Sequence, residues 1–164
     1  FMFKKKLEYS FIILSILAVI YLAKNYYESY QFKHNDIPNE YKNRIIQKEK
    51  EVLNLMQKHY GYAYKVPLII TDKFKGRLYG LCVYKDGEVS IYLNKKVMQE
   101  SIDYMVDSVI AHEYAHALMF KLGHISKNTD GHSAQWREAC VKLGGINCGK
   151  YVSKEDVIMG KLPF

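Results

Sequence analysis

The sequence predicts a small α+β domain that follows an apolar N-terminal helix. An apolar run near the N-terminus reaches about 20 residues, the length that a bilayer requires. Alternating apolar and polar residues mark strands in the middle of the chain, and helical spacing recurs on both sides of them. The order helix, three strands, helix, loop, helix indicates one domain with an antiparallel or mixed three-stranded sheet, which suits a chain of 164 residues.

The first 30 residues have the composition of a membrane anchor. Lys4–Lys6 precede an apolar run from Phe11 to Ala23, and tyrosines flank the run as they do at membrane interfaces. A cleaved signal peptide has the same basic start and apolar middle, and a buried helix of the domain is a further alternative. Tyr21 stands where cleavage needs a small residue, which favours an uncleaved anchor.

This anchor sets the predicted domain organisation. Residues 1–30 form the anchor, residues 31–38 a linker, and residues 39–164 the folded domain. More lysines precede the apolar run than follow it, since only Lys24 and Lys33 lie between its end and residue 35. The positive-inside rule therefore places the domain outside the cytoplasm, with a cytoplasmic domain as the alternative.

Charge and cysteine content narrow the functional classes. The net charge is +7, from 24 basic and 17 acidic residues without a dense basic run. Nucleic-acid binding is therefore possible but is not indicated by charge. The three cysteines include no C-x-x-C pair, which excludes a cysteine zinc ribbon. Cys140 and Cys148 could pair in an oxidising compartment, but unpaired thiols are the expectation.

Local signals place the elements of the domain. A helix is predicted at Asn39–Tyr60, after Pro38 and before the C-cap Gly61. Strands are predicted at Val66–Thr71, Leu78–Tyr84 and Glu88–Leu93. Asp86-Gly87 joins the last two strands as a hairpin, because that turn needs positive φ. Two further helices are predicted at Ile102–Leu122 and Ser133–Leu143, each followed by glycine.

The helix Ile102–Leu122 contains the string His112-Glu113-Tyr114-Ala115-His116. Residues four apart share one face of a helix, so the two imidazoles can bind one Zn²⁺. The carboxylate of Glu113 can reach a water on the metal without being a ligand itself. Zinc acidifies such a water, and Glu113 would accept its proton during attack on a carbonyl. The string predicts a zinc site with Glu113 as general base.

A catalytic zinc site needs a third protein ligand and an open position. The downstream candidates are His124, Asp130, His132 and Glu138. His132 is favoured because it follows Gly131 at the start of the last helix, after a loop long enough to fold back. His124 lies just beyond the end of its helix and would have to point backward.

The stretch Val109–Gly145 resembles the SprT-like (Spartan-related) metallopeptidase domain. The similar segments are the HEYAH helix with Ala117-Leu118-Met119-Phe120, then Gly131-His132 with Trp136 one place late, and upstream Arg77–Tyr84 and Ile91–Asn94. The resemblance covers about residues 39–145. It implies a zincin-like fold, hydrolysis of peptide bonds in a polypeptide substrate, and His132 as third zinc ligand beside His112 and His116.

The chain departs from that family in two respects. Bacterial members often end in a cysteine zinc ribbon, and family members are usually soluble and act near DNA. The resemblance therefore implies peptidase chemistry without the DNA-linked role. One alternative is a non-catalytic zinc-binding or DNA-associated module. Another is a related zincin in which Glu138 is the third ligand.

The remaining predictions concern the surroundings of the metal. Tyr84, Tyr92 and Arg137 are candidate oxyanion donors, and the sequence does not choose among them. Asp107 or Asp130 could orient a ligand imidazole. Tyr114 and Trp136 are expected to be packing residues. The strand Glu88–Leu93, if it lies at the sheet edge, would pair with substrate.

Overall fold

A long helix, α1 (Met2–His34), forms most of the N-terminal unit Phe1–Ile37. The computed structural model describes residues 2–74, 76, 78–124 and 131–149. In that part of the chain, Lys4–His34 is the one helix long and apolar enough to cross a membrane, a test of length and composition that N-terminal signal sequences also pass. Residues 31–34, predicted to be linker, are helical because no glycine or proline interrupts the helix before Pro38.

The second unit, Pro38–Phe164, begins with helix α2 (Asn39–Tyr60), as predicted. Its buried face consists of Ile45, Lys48, Val52 and Met56. Gly61 ends the helix in the left-handed conformation with φ of 80°, and its N–H donates to the carbonyl of Gln57. This C-cap confirms the role predicted for the glycine.

The sheet is mixed and has three strands, β1 (Leu68–Thr71), β2 (Gly80–Lys85) and β3 (Glu88–Asn94). Their order is β1-β3-β2, with β3 parallel to β1 and antiparallel to β2. Asp86 and Gly87 both have positive φ, as the predicted hairpin turn requires. Glu88–Leu93 is expected to pair with substrate only if it lies at the sheet edge; β3 is instead the central strand, and β1 and β2 are the two edges.

The helix predicted at Ile102–Leu122 is interrupted by a π-helical turn. It consists of α4 (Ile102–Tyr104), the π turn Met105–Val109 and α5 (Ile110–Leu122), and a short unpredicted helix, α3 (Lys95–Met98), precedes it. The N–H of Ile146 donates to the carbonyl of Asp107 within the π turn over 3.4 Å. Gly123, with φ of 71°, ends α5 as predicted.

The core of this unit surrounds α5. This helix packs against β2, β3, α2 and α6 (Ala134–Lys142). Tyr114 and Leu118 on α5 are fully buried. The hydroxyl of Tyr114 donates to the Glu49 carboxylate on α2 over 2.7 Å, which confirms that Tyr114 is a packing residue.

A disulfide between Cys140 and Cys148 closes the turn after α6, so the expectation of unpaired thiols is wrong for these two residues. The Gly144-Gly145 turn reverses the chain and makes the pairing possible. A Cβ at Gly145 would lie 2.7 Å from the sulfur of Cys140 and 2.9 Å from that of Cys148. A side chain at this position would therefore separate the two sulfurs.

Candidate metal centre

Three imidazoles converge beside α5. The Nε2 atom of His112 lies 3.3 Å from Nε2 of His116 and 3.2 Å from Nε2 of His132. One nitrogen from each ring lies within 4.8 Å of the other two. Zinc–nitrogen bonds of about 2.0–2.1 Å at tetrahedral angles place ligand nitrogens about 3.3 Å apart. The three side chains are therefore positioned to hold one metal ion.

The backbone brings the third histidine to the other two. His112 and His116 share a face of α5 through their spacing of four residues. Gly131 precedes His132 with φ of 81°, and a Cβ there would lie 3.3 Å from Cε1 of His116. Ser133 then caps α6 by accepting the N–H of Trp136 over 3.1 Å. A glycine and an N-cap thus fix the chain on both sides of His132.

The indole of Trp136 supports all three imidazoles. Its ring centroid lies 4.6 Å from that of His112, 5.0 Å from that of His116 and 4.4 Å from that of His132. The side chain is fully buried, which confirms the prediction that Trp136 anchors the last helix. Trp136 stands one place later than the aromatic residue of the resembled family pattern, and its ring still contacts the three histidines.

The protonation of the cluster favours metal binding. Burial, followed by the neighbouring charge of His132, lowers the pKa of His112 to about 4. Burial and then the charges of His112 and His132 lower the pKa of His116 to about 3. Both imidazoles are therefore neutral at neutral pH. Neutral imidazole is the form that binds a metal ion.

Glu113 lies against β2, outside the group of three histidines. Burial raises the pKa of its carboxyl to about 8, while the backbone N–H of Cys82 donates to the carboxylate and opposes the rise. A Cβ at Gly80 would lie 2.8 Å from Oε1 of Glu113 and 2.8 Å from Cγ1 of Val109. Gly80 therefore leaves the space in which the carboxylate sits.

Gly80 and Cys82 have no predicted function in the sequence. A single glycine inside a predicted strand is a signal of close backbone approach, and Gly80 carries that signal. Cys82 contacts Glu113 through its backbone N–H, so the identity of its side chain does not predict this hydrogen bond. Burial, and then the charge of Glu113, raises the pKa of the Cys82 thiol to about 12, so this cysteine remains a neutral thiol.

The other candidate ligands lie elsewhere or outside the described residues. Glu138 is exposed and pairs with Lys142 over 2.6 Å. It does not belong to the group of three histidines. His124 is also exposed, and its backbone N–H donates to the carbonyl of Met119. Asp130 lies outside the described residues. Asp107 lies in the π turn and is not a member of the group.

The candidate oxyanion donors occupy three different places. Tyr84 stacks on Phe120, with ring centroids 5.3 Å apart, and Tyr92 is half-buried on β3 opposite Leu81. Arg137 lines a groove of about 630 Å³ that runs along α6 from His132. The positions alone do not select one of the three as a donor.

An α+β fold and a helix that carries two of three clustered histidines define a protein with a candidate HExxH metal centre. The sequence model of the SprT-like family matches residues 49–155, more than half of the chain. The match includes the sheet, α5 and all three histidines, so the resemblance is confirmed and the chain belongs to the SprT-like family. No curated protein and no solved structure matches the chain.

Proposed function

We propose that this chain is a zinc-dependent metallopeptidase that hydrolyses peptide bonds in polypeptides, with a zincin-like arrangement of its site. The observation that carries the proposal is the cluster of three histidines at α5, the helix that also carries the buried carboxyl of Glu113. A site that only stabilised the fold would have no use for a buried carboxylate outside the ligand set. Membership in a family associated with metallopeptidase-like proteins supports the same conclusion.

Zinc fits the donor set better than harder cations. The distances of 3.2 and 3.3 Å from Nε2 of His112 to Nε2 of His132 and of His116 match tetrahedral zinc, whereas magnesium and calcium prefer oxygen ligands. His112, His116 and His132 would hold the ion and leave the fourth position open. A zinc ion at such a site supplies Lewis acidity, which polarises a carbonyl and acidifies water.

Glu113 would act as general base. Its side chain follows His112 directly on α5, and the N–H of Cys82 holds the carboxylate in one orientation. Burial raises the pKa of Glu113 in the metal-free chain, and a nearby cation would favour the ionised form that accepts the proton. The substrate would lie in extended form beside β2, because an edge strand can add a peptide to the sheet.

Replacing Glu113 with Gln tests the assignment. The amide keeps the size of the side chain but cannot accept the proton, so hydrolysis of an unfolded protein substrate should fall by about 10²–10⁴-fold. The zinc content, measured by elemental analysis, should stay unchanged. Glu88→Gln, an exposed glutamate at the start of β3, is the matched control. Activity that persists in Glu113→Gln would show that Glu113 is not the base.

The second part of the proposal concerns location. We place the peptidase domain on the extracytoplasmic side of a membrane, anchored by α1. The support is the Cys140–Cys148 disulfide, since disulfides persist in oxidising compartments and are rare in the cytosol. Together with the lysine bias, the disulfide favours an N-terminus inside and the domain outside.

A thiol-labelling experiment on cells that express the full chain tests this location. In the unfolded protein, a maleimide reagent should modify Cys140 and Cys148 only after reduction if the domain lies outside the cytoplasm, because burial alone would protect Cys140 in the folded state. The cells are lysed under acid quench before labelling. If both thiols are then modified without reduction, the domain lies in a reducing compartment. Cys82, which is not in the disulfide, serves as the internal control once the protein is unfolded.

A further inference from the structure

Strand β2 presents a backbone edge beside the metal centre. The N–H of Asn94 donates to the carbonyl of Tyr79 over 2.8 Å, in the same register as the β2–β3 ladder. Bonded and non-bonded pairs alternate in an antiparallel ladder. The backbone groups of Gly80, Cys82 and Tyr84 therefore point away from β3, toward the outer edge of the sheet.

Glu113 occupies one of the donors on this edge. Its carboxylate accepts the N–H of Cys82, so an incoming strand cannot use that group. The next groups along the edge are the carbonyl of Cys82 and the N–H of Tyr84. Neither group has a hydrogen-bond partner among the described residues. An extended peptide that pairs with β2 on the Tyr84 side of Glu113 can therefore use these two groups.

An aromatic surface lies at the same point of the strand. Side chains alternate along β2, so Tyr84 shares the helix-facing side of the strand with Gly80. Its ring stacks on Phe120 of α5, with centroids 5.3 Å apart and planes inclined by 13°. Tyr84 is nevertheless 54% exposed. Because Phe120 lies one turn beyond His116, the surface is close to the histidine cluster along α5.

The character of this surface selects one class of side chain. Two stacked rings gain most from an apolar or aromatic partner. The ammonium of the adjacent Lys121 lies 5.3 Å from the ring centroid of Tyr64 and adds positive charge nearby. A cationic side chain gains no ion pair from Lys121, whereas an apolar side chain is unaffected by its charge.

We propose that Tyr84 and Phe120 form a specificity subsite that receives a large apolar side chain of an extended polypeptide paired with β2. This inference rests on the proposed function, because it assigns a substrate preference to the same site. It makes Tyr84 and Phe120 specificity-determining residues and gives them no part in the bond-breaking step.

Binding to an inactive form of the full chain separates recognition from turnover. The probes are fluorescent peptides of one sequence that carry Phe, Ala or Lys at each position in turn. Their affinity for the Glu113→Gln protein in detergent micelles is measured by anisotropy. At one position, Phe should bind roughly 10-fold or more tightly than Ala and Lys, the range that apolar pockets achieve.

Variants in the same background identify the subsite. Tyr84→Ala and Phe120→Ala should each remove most of the preference for Phe, whereas Tyr84→Phe should keep it because the ring face remains. Leu81→Ala is the matched control, since Leu81 is 45% exposed on the opposite face of the same strand. A preference that survives Tyr84→Ala, or the absence of a preference at every position, would overturn the inference.

Cleavage by the wild-type chain then separates the two proposals. Preferred binding that depends on Tyr84, without cleavage of any peptide, would leave the subsite intact and refute the peptidase assignment. Cleavage without a preference that depends on Tyr84 would support the peptidase and refute the subsite.

Discussion

The two sides of the candidate site are built in different ways. On the α6 side, the third histidine is held by Gly131, by the N-cap Ser133 and by the indole of Trp136. On the β2 side, the carboxylate of Glu113 is held by one backbone N–H and by the space at Gly80. The proposed metal binding and the proposed positioning of the base therefore depend on separate parts of the fold, so a single substitution should be able to remove one and keep the other.

The largest effect is expected on the α6 side. His132→Ala removes one of the three proposed ligands, so zinc affinity should fall more than about 100-fold, beyond the loss caused by changes around the ligands. Competition with a chromophoric chelator measures the affinity, and peptide hydrolysis should be lost with the metal. The exposed His124 provides the control variant His124→Ala, which should keep its zinc. Full zinc binding by His132→Ala would exclude His132 as a ligand.

The next effect is expected on the β2 side. In Gly80→Ala, the added Cβ would meet Oε1 of Glu113 at 2.8 Å and displace the base. A displacement of about 1 Å can reduce a rate by about 10²-fold, so hydrolysis should fall by roughly 10–100-fold while zinc content stays unchanged. Leu81→Ala, on the neighbouring residue, should retain activity. Loss of zinc in Gly80→Ala would show that the two sides are coupled.

The disulfide gives a smaller effect, confined to the α6 side. Cys140 and Cys148 are separated by 8 positions, and closing a loop of that size stabilises a fold by about 2–3 kcal/mol. The free energy of unfolding, measured with denaturant, should fall by that amount on reduction. The double variant Cys140→Ala/Cys148→Ala should show a similar loss and no response to reductant. If reductant lowers the free energy of unfolding equally in the parent chain and in the double variant, the redox-sensitive group is not the Cys140–Cys148 pair.

The smallest effect concerns pH and involves both sides. Burial raises the pKa of Glu113 from 4.5 to about 8, so the stability due to its protonated form is lost as the pH rises through that interval. Burial lowers the pKa of His112 and His116 from 6.5 to about 4 and 3, so their contribution is lost as the pH falls below 6.5. Below pH 6.5 the effect of the two histidines on the free energy of unfolding exceeds the opposite effect of Glu113, so stability decreases as the pH falls.

The metal-free protein should therefore be most stable near pH 6.5. From there to pH 8, the one glutamate proton lowers the free energy of unfolding by about 1.4 kcal/mol per pH unit, or about 2 kcal/mol in total. Denaturant unfolding at both pH values measures the change. Glu113→Gln should abolish the decrease above pH 6.5, and an equal decrease in this variant would assign it to another group.

Local features of the fold and site were predictable from the sequence. The spacing of four residues between His112 and His116 places them on one face of any helix, whatever surrounds it. Asp86-Gly87 and Gly61 lie where positive φ is required, so a hairpin and a helix end could be predicted there. The loop before His132 is long enough to return to α5, so the sequence favours His132 among the four candidate third ligands.

Contacts between distant segments were not predictable from a single sequence. The strand order β1-β3-β2 depends on which strand the helices cover, and spacing within a strand carries no such information. The π turn at Met105–Val109 has no signature of its own in the apolar pattern. The fit of Glu113 against Gly80 joins residues 33 positions apart, and the cysteine pair depends on the geometry of the Gly145 turn.

The edge of β2 also bears on self-association. An uncovered strand can template pairing with another copy of the same chain, which is a route to aggregation. Here the strand has six residues, one of its outward N–H groups is bound by Glu113, and Lys85 places a charge at its end. The short stretch that remains can hold a passing peptide but is a poor template for a stable intermolecular sheet.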